Sequence, residues 1–97
     1  MLKLKKTSTF KKQYKKIISG GRYKEDDFVE VLNKLVNQEV LDRRYNDHPL
    51  EGQKRKIREL HINPDWLLIY IIDNEELILT LVQTGSHTDL FGHSQQF

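Results

Sequence analysis

The sequence predicts an α+β fold in which an N-terminal strand and a helical hairpin pack on one face of a small antiparallel sheet. Three observations carry that expectation. Residues 8–39 hold two apolar stripes at helical spacing, separated by Gly20-Gly21. Residues 57–83 hold three runs of strand length, separated by Asn63-Pro64-Asp65 and Asp73-Asn74. Ninety-seven residues suit one domain, 1–97, because a single core usually occupies about 100–200 residues.

Leu2 and Leu4 alternate with Lys3 and Lys5, as in a half-buried strand. Ser8 is the expected N-cap of a helix that runs to Ser19 and stops at Gly20-Gly21. In it Phe10, Tyr14, Ile17 and Ile18 form one stripe, with Lys11, Lys12, Lys15 and Lys16 mostly outside it. A second helix starts near Glu25-Asp26-Asp27, whose carboxylates suit the positive end of a helix dipole. Phe28, Val31, Leu32, Leu35 and Val36 are its stripe, and it is expected to end near Glu39. The polar residues 42–54 read as a loop. Three strands follow, at 57–62, 66–72 and 76–83, and the last is broken by Thr84-Gly85-Ser86 before a short tail. Short turns make this meander antiparallel. The hairpin covers one face of the sheet, and the other face is left free for a site.

Composition narrows the functional classes. No apolar run approaches the roughly 18–20 residues that a membrane span needs. The basic start Met1-Leu2-Lys3 is not followed by an apolar signal segment. A cytoplasmic protein without a membrane partner is expected, and the lack of cysteine suits a reducing compartment. Net charge is only +2, yet eight lysines fall within residues 3–24, and Lys54, Arg55, Lys56 and Arg58 form a second cluster. Such clusters attract phosphates; they equally serve to solvate a helix face.

The four histidines are His48, His61, His87 and His93. His61 and Asp65 flank one turn, and strand parity puts Glu59 and His61 on one face with Arg58 on the other. Converging imidazoles can exchange protons near neutral pH. A metal site is the rival reading of the same residues, but no two histidines stand at i, i+4 on a helix, so no metal or other cofactor is expected. Spacing alone leads no further than a possible acid–base site.

Three blocks in order carry a resemblance: 47–52 (Asp-His-Pro-Leu-Glu-Gly), 58–70 (Arg-Glu-Leu-His-Ile-Asn-Pro-Asp-Trp-Leu-Leu-Ile-Tyr) and 84–92 (Thr-Gly-Ser-His-Thr-Asp-Leu-Phe-Gly). Together with the strand–helix–helix prelude, they resemble the YafQ-type toxins of the RelE/ParE superfamily over nearly the whole chain. The resemblance implies a toxin of a type II toxin–antitoxin system, a ribosome-dependent mRNA endoribonuclease that inhibits translation. It acts without a metal, using the ribose 2′-OH as nucleophile. Implied partners are a cognate antitoxin, the ribosome and mRNA, with DNA met only indirectly through the antitoxin.

His48, His61, Asp65 and His87 match the family's catalytic positions. The resemblance implies that Asp65 and His61 orient and accept protons and that His87 protonates the leaving group. Glu59 matches a supporting Asp/Glu position. Phe91 matches a C-terminal aromatic that stacks on a base, and core packing is its equal alternative. Trp66 and Tyr70 read as core. One position departs from the pattern. Relatives carry Arg two residues before the motif glycine, where this chain has Gln83. Gln can hydrogen-bond a phosphate but brings no charge, so activity is expected to be weakened unless Lys54, Lys56 or Arg58 supplies the cation. Gln83 also leaves open a non-catalytic ParE-like toxin or an antitoxin-binding co-repressor.

Overall fold

The computed structural model describes residues 1–50 and 56–91. In chain order these form β1 (Lys3–Lys6), α1 (Ser8–Ser19), α2 (Glu25–Val36), a 3₁₀ turn (Arg43–Tyr45), β2 (His48–Pro49), β3 (Ile57–Asn63), β4 (Trp66–Asp73), β5 (Ile78–Gly85) and α3 (His87–Leu90). The α+β class and the helical hairpin follow the sequence. The sheet departs from it at both edges. Its order is β1-β5-β4-β3-β2, and β1 pairs parallel with β5, Lys3 opposite Ile78. The N-terminal strand therefore joins the sheet as an edge, and the sheet is mixed. The long crossover through α1 and α2 permits this, since a parallel pair needs such a connection.

Local chemistry sets the element ends. The N-cap of α1 is Thr7, one residue before the expected Ser8: its hydroxyl oxygen accepts from the Phe10 amide at 2.9 Å. The same hydroxyl donates to the Val82 carbonyl at 2.7 Å, tying the helix start to β5. Thr7→Ala is expected to cost about 1–2 kcal/mol, read as a fall in the midpoint of urea unfolding. The acidic first turn of α2 is in place, and the Glu25 carboxylate also accepts from the Tyr14 hydroxyl. Helix α2 stops at Val36 rather than near Glu39, because the Asn37 side chain caps the Asn33 carbonyl and Gln38 turns left-handed at φ 53°.

Strand β5 starts at Ile78, two residues later than expected. Asp73 accepts from the amides of Glu75 and Glu76, and Leu77 takes φ 56°, so 74–77 is all turn. The expected loop at 42–54 contains the 3₁₀ turn, capped by Asp42, and the two residues of β2. The tail likewise contains α3, whose capping box joins Ser86 and Asp89.

Alternation divides the sheet into two faces. Leu60, Trp66, Leu68, Tyr70, Leu79 and Leu81 turn toward Phe10, Phe28, Val31 and Leu35 of the hairpin and form the core. At its centre Phe28 lies 6.3 Å from Trp66, ring to ring, and the Trp66 indole donates to the Thr84 hydroxyl at 2.8 Å. No helix among the described residues is long and apolar enough to cross a membrane.

Candidate functional site

The second sheet face gathers most of the candidate residues. Strand register lays His48, Glu59, Ile69 and Gln83 in one row across β2, β3, β4 and β5. The neighbouring row is His61, Leu67 and Gly85. A bulge in β5 makes this arrangement possible. Ile69 faces Gln83 while Tyr70 faces Leu81, so Val82 is the extra residue. It switches parity, placing Gln83 on the site face and Thr84 inside, where plain alternation from Leu79 and Leu81 would do the reverse.

This face is not left free, as the sequence suggested. Leu67 is fully buried on it and Ile69 nearly so. Helix α3, hidden in the apparent tail, folds back over the end of β5. A Cβ built on Gly85 would stand 2.9 Å from the Asp89 Cβ and 3.3 Å from a Leu90 methyl. That close approach requires glycine. Gly85→Ala is expected to push α3 away, costing about 1–3 kcal/mol, and to move the NMR signals of both the His61 and His87 rings.

His87, at the start of α3, is thereby brought to His61. Their ring centroids lie 5.5 Å apart at an interplanar angle of 66°. His87 is exposed and His61 half-buried, so both remain open to a substrate. His48 is held at both ring nitrogens. Nδ1 lies 2.7 Å from the Asn46 carbonyl, which can only accept, so this nitrogen is the donor. Nε2 faces Glu59 Oε1 at 3.3 Å. The Glu59 side chain is only 8% exposed, and its other oxygen has no hydrogen-bond partner within the described residues. Glu59 thus orients an imidazole in the same row as Gln83.

Asp65 sits at the β3–β4 turn, with its amide bound to the Asn63 side chain. Its carboxylate is held from the other side, by Tyr23 (hydroxyl to Oδ2, 3.0 Å) and by Arg22 (3.1 Å). Burial, then the bond to Asp65, raises the Tyr23 phenol above its ordinary range. Tyr23 therefore stays a proton donor to Asp65. It stacks on Trp66 at 5.0 Å, with the Arg22 guanidinium 5.4 Å from its ring. The sequence reading missed Arg22 and Tyr23. Their only signal was position, directly after the Gly20-Gly21 turn, and the turn's proximity to Asp65 is tertiary.

Of the candidate phosphate-binding cations, Arg58 and Lys56 lie elsewhere. Arg58 makes two contacts to Asp47, at 3.2 and 3.3 Å, and Asp47 also accepts from the Tyr70 hydroxyl. Arg58 is cross-strand partner to Tyr70, on the core parity. Lys56 lines a groove of about 1030 Å³ with Arg58, Tyr70 and Ile72, beside the C-terminal end of α2. Lys54, together with Glu51-Gly52, Arg55 and the residues from Gly92 onward, lies outside the described residues. Phe91 is half-buried and caps α3, its amide bonded to the His87 carbonyl at 2.8 Å. Among the described residues no group of three or more His, Cys, Asp or Glu is arranged to hold a metal ion.

Residues 2–92 match the sequence model of the YafQ family, bacterial toxins of type II toxin–antitoxin systems. The mRNA interferase toxin YafQ of Escherichia coli K12 is 33% identical over 84 residues, covering 82% of this chain and 89% of that protein. A metal-bound toxin from Helicobacter pylori superposes with a TM-score of 0.86 at 36% identity, covering 94% of this chain and all of that one. The E. coli DinJ–YafQ complex contains a chain that superposes with a TM-score of 0.82 at 28% identity, covering 95% and 100%.

Proposed function

Because the chain belongs to the YafQ family of type II toxins, we propose that it is an mRNA interferase that cleaves message on the ribosome and so arrests translation. The observation that carries the reading is the His61–His87 pair, 5.5 Å apart on the sheet face that also presents Gln83 and Glu59. Two imidazoles at that spacing can straddle one phosphodiester.

In this reaction the ribose 2′-oxygen attacks the adjacent phosphorus and the P–O5′ bond breaks. Two protons move. One leaves the 2′-OH for His61, with Asp65 orienting the acceptor. The other passes from His87 to the departing 5′-oxygen. The products are a 2′,3′-cyclic phosphate and a free 5′-OH. General acid–base groups of this kind contribute about 10²–10⁴-fold each. Gln83 hydrogen-bonds a non-bridging oxygen, Glu59 steadies His48, and Phe91 stacks on a neighbouring base. None of these steps draws on a metal.

The partner is a cognate antitoxin, as DinJ is for the E. coli toxin in their toxin–antitoxin complex. The lysines of β1 and α1 are exposed, and none is paired with an acidic side chain among the described residues, so an acidic segment would gain on-rate from them. DNA contact comes through the antitoxin, and the protein works in the cytoplasm, where ribosomes are. Gln83 favours a second reading, a toxin or co-repressor that acts only by binding protein. Incubating the protein with a defined mRNA, with and without programmed ribosomes, separates the two. Cleavage only with ribosomes supports the nuclease; translation arrest with intact message supports the binding protein.

A further inference from the structure

Gln83 faces the site without charge, yet the pentacoordinate phosphate of this reaction carries more negative charge than the ground state and needs a cation beside it. Arg58 is engaged by Asp47 on the core parity of β3, and Lys56 lines the groove with it. A different cation is bound to one of the assigned residues. Arg22 makes its ion pair with Asp65, and it lines a cleft of about 380 Å³ with Lys16, Tyr23, Thr84, Ser86 and Asp89. Ser86 is the N-cap of α3, and the next residue is His87. Arg22 thus stands where the turn bearing Asp65 and the helix bearing His87 meet. Its side chain is 72% exposed, so the guanidinium is free to swing.

We propose that Arg22 is the phosphate-binding catalytic residue of this chain, supplying from the α1–α2 turn the charge that Gln83 does not supply from β5. In the free protein the guanidinium rests on Asp65. When RNA enters, it exchanges that carboxylate for the scissile phosphate, which it can grip through two parallel N–H bonds. Asp65 keeps the Tyr23 hydroxyl, so its orientation survives the exchange. Gly20-Gly21, with Gly21 at φ 71°, gives the turn the backbone shape that points Arg22 across the sheet end.

The inference rests on the nuclease reading, and the test separates the two. Cleavage is followed in a single turnover on programmed ribosomes at saturating toxin, for wild type and for H87A, R22A, Y23F, K16A, Q83R and R22A/Q83R. Wild type is expected to cleave and H87A to fail; if the two behave alike, the nuclease reading fails and the Arg22 assignment falls with it. With that reading intact, R22A should lower the rate by about 10²-fold or more, as the loss of one charge-stabilising donor does. The R22A/Q83R double variant should recover most of that loss, because it restores a guanidinium to the phosphate from β5. Y23F removes a hold on Asp65 but keeps the cation, so its loss should be much smaller than that of R22A.

Three results would overturn the proposal. The first is cleavage by R22A at the wild-type rate. The second is a Y23F loss equal to that of R22A with no rescue by Q83R, which would make Arg22 a support for Asp65 only. The third is a K16A loss equal to that of R22A, which would reduce both to a general positive field. Circular dichroism melts of R22A and wild type should coincide, since an exposed arginine adds little to stability.

Discussion

Replacing His87 with alanine is expected to lower the single-turnover cleavage rate by about 10²–10⁴-fold while leaving the melting temperature unchanged. His87 is exposed, and α3 is capped by Ser86 and Asp89 rather than by the imidazole. Loss of activity therefore cannot be blamed on unfolding. The same substitution at His61 should cost activity on a similar scale, because in the proposed mechanism the two rings act on opposite protons of one reaction. The double variant should be little worse than either single one, since a pair that works as a unit loses its function once. Additive losses would mean that the two rings serve separate steps.

Trp66→Ala is expected to give the largest loss of stability, about 3–5 kcal/mol. The indole is fully buried, stacks on Tyr23, meets Phe28 and donates to Thr84. For a chain of this length, such a loss lowers the melting temperature by on the order of 15 °C or more. Trp66→Phe keeps most of the ring volume and removes the N–H. The Thr84 hydroxyl would still donate to the Leu67 carbonyl at 2.8 Å, so the cost should fall to about 1–2 kcal/mol. Comparing the two by thermal and urea unfolding separates packing from hydrogen bonding. Because Tyr23 rests on Trp66 and binds Asp65, the alanine variant should also loosen Asp65. An equal stability loss in both variants would place the weight on the Thr84 bond instead.

The helical hairpin and the three-stranded meander were legible in the sequence because their signals are periodic. Phe10, Tyr14, Ile17 and Ile18 repeat at the helical interval, and Asn63-Pro64-Asp65 forms a turn by its own backbone chemistry. Features that depend on contacts between distant segments were not legible. The parallel pairing of β1 with β5 follows from how the hairpin docks, which no local pattern encodes. The bulge at Val82 decides which of Gln83 and Thr84 faces the site, and the run Leu79–Gln83 shows no mark of it. Helix α3 is only four residues long, too short for periodicity, although Ser86 and Asp89 stand at capping-box spacing.

The same division runs through the site. Matching motifs could nominate His48, His61, Asp65 and His87 one by one. Strand parity correctly put Glu59 and His61 on one face and Arg58 on the other. What parity could not supply was the environment of each group. The grip of Arg22 and Tyr23 on Asp65 joins residues 42 or more positions apart. The Asp47–Arg58–Tyr70 network, which holds Arg58 on the core parity of β3, joins β3 and β4 to the residue before β2. The buried Glu59 carboxylate against His48 depends on β2, a strand of two residues inside what reads as a loop.

The chemistry at the ends of the cut RNA tests the central claim most directly. Ribosome-bound message cleaved by the wild-type protein can be recovered and its termini identified by mass spectrometry, with EDTA present throughout. The expected termini are a 2′,3′-cyclic phosphate and a 5′-hydroxyl, and a 2′-deoxy substitution at the cleaved nucleotide should leave the message whole. A 5′-phosphate with a 3′-hydroxyl, or cleavage that persists at the 2′-deoxy nucleotide, would contradict proton transfer by His61 and His87 to and from the ribose and its phosphate.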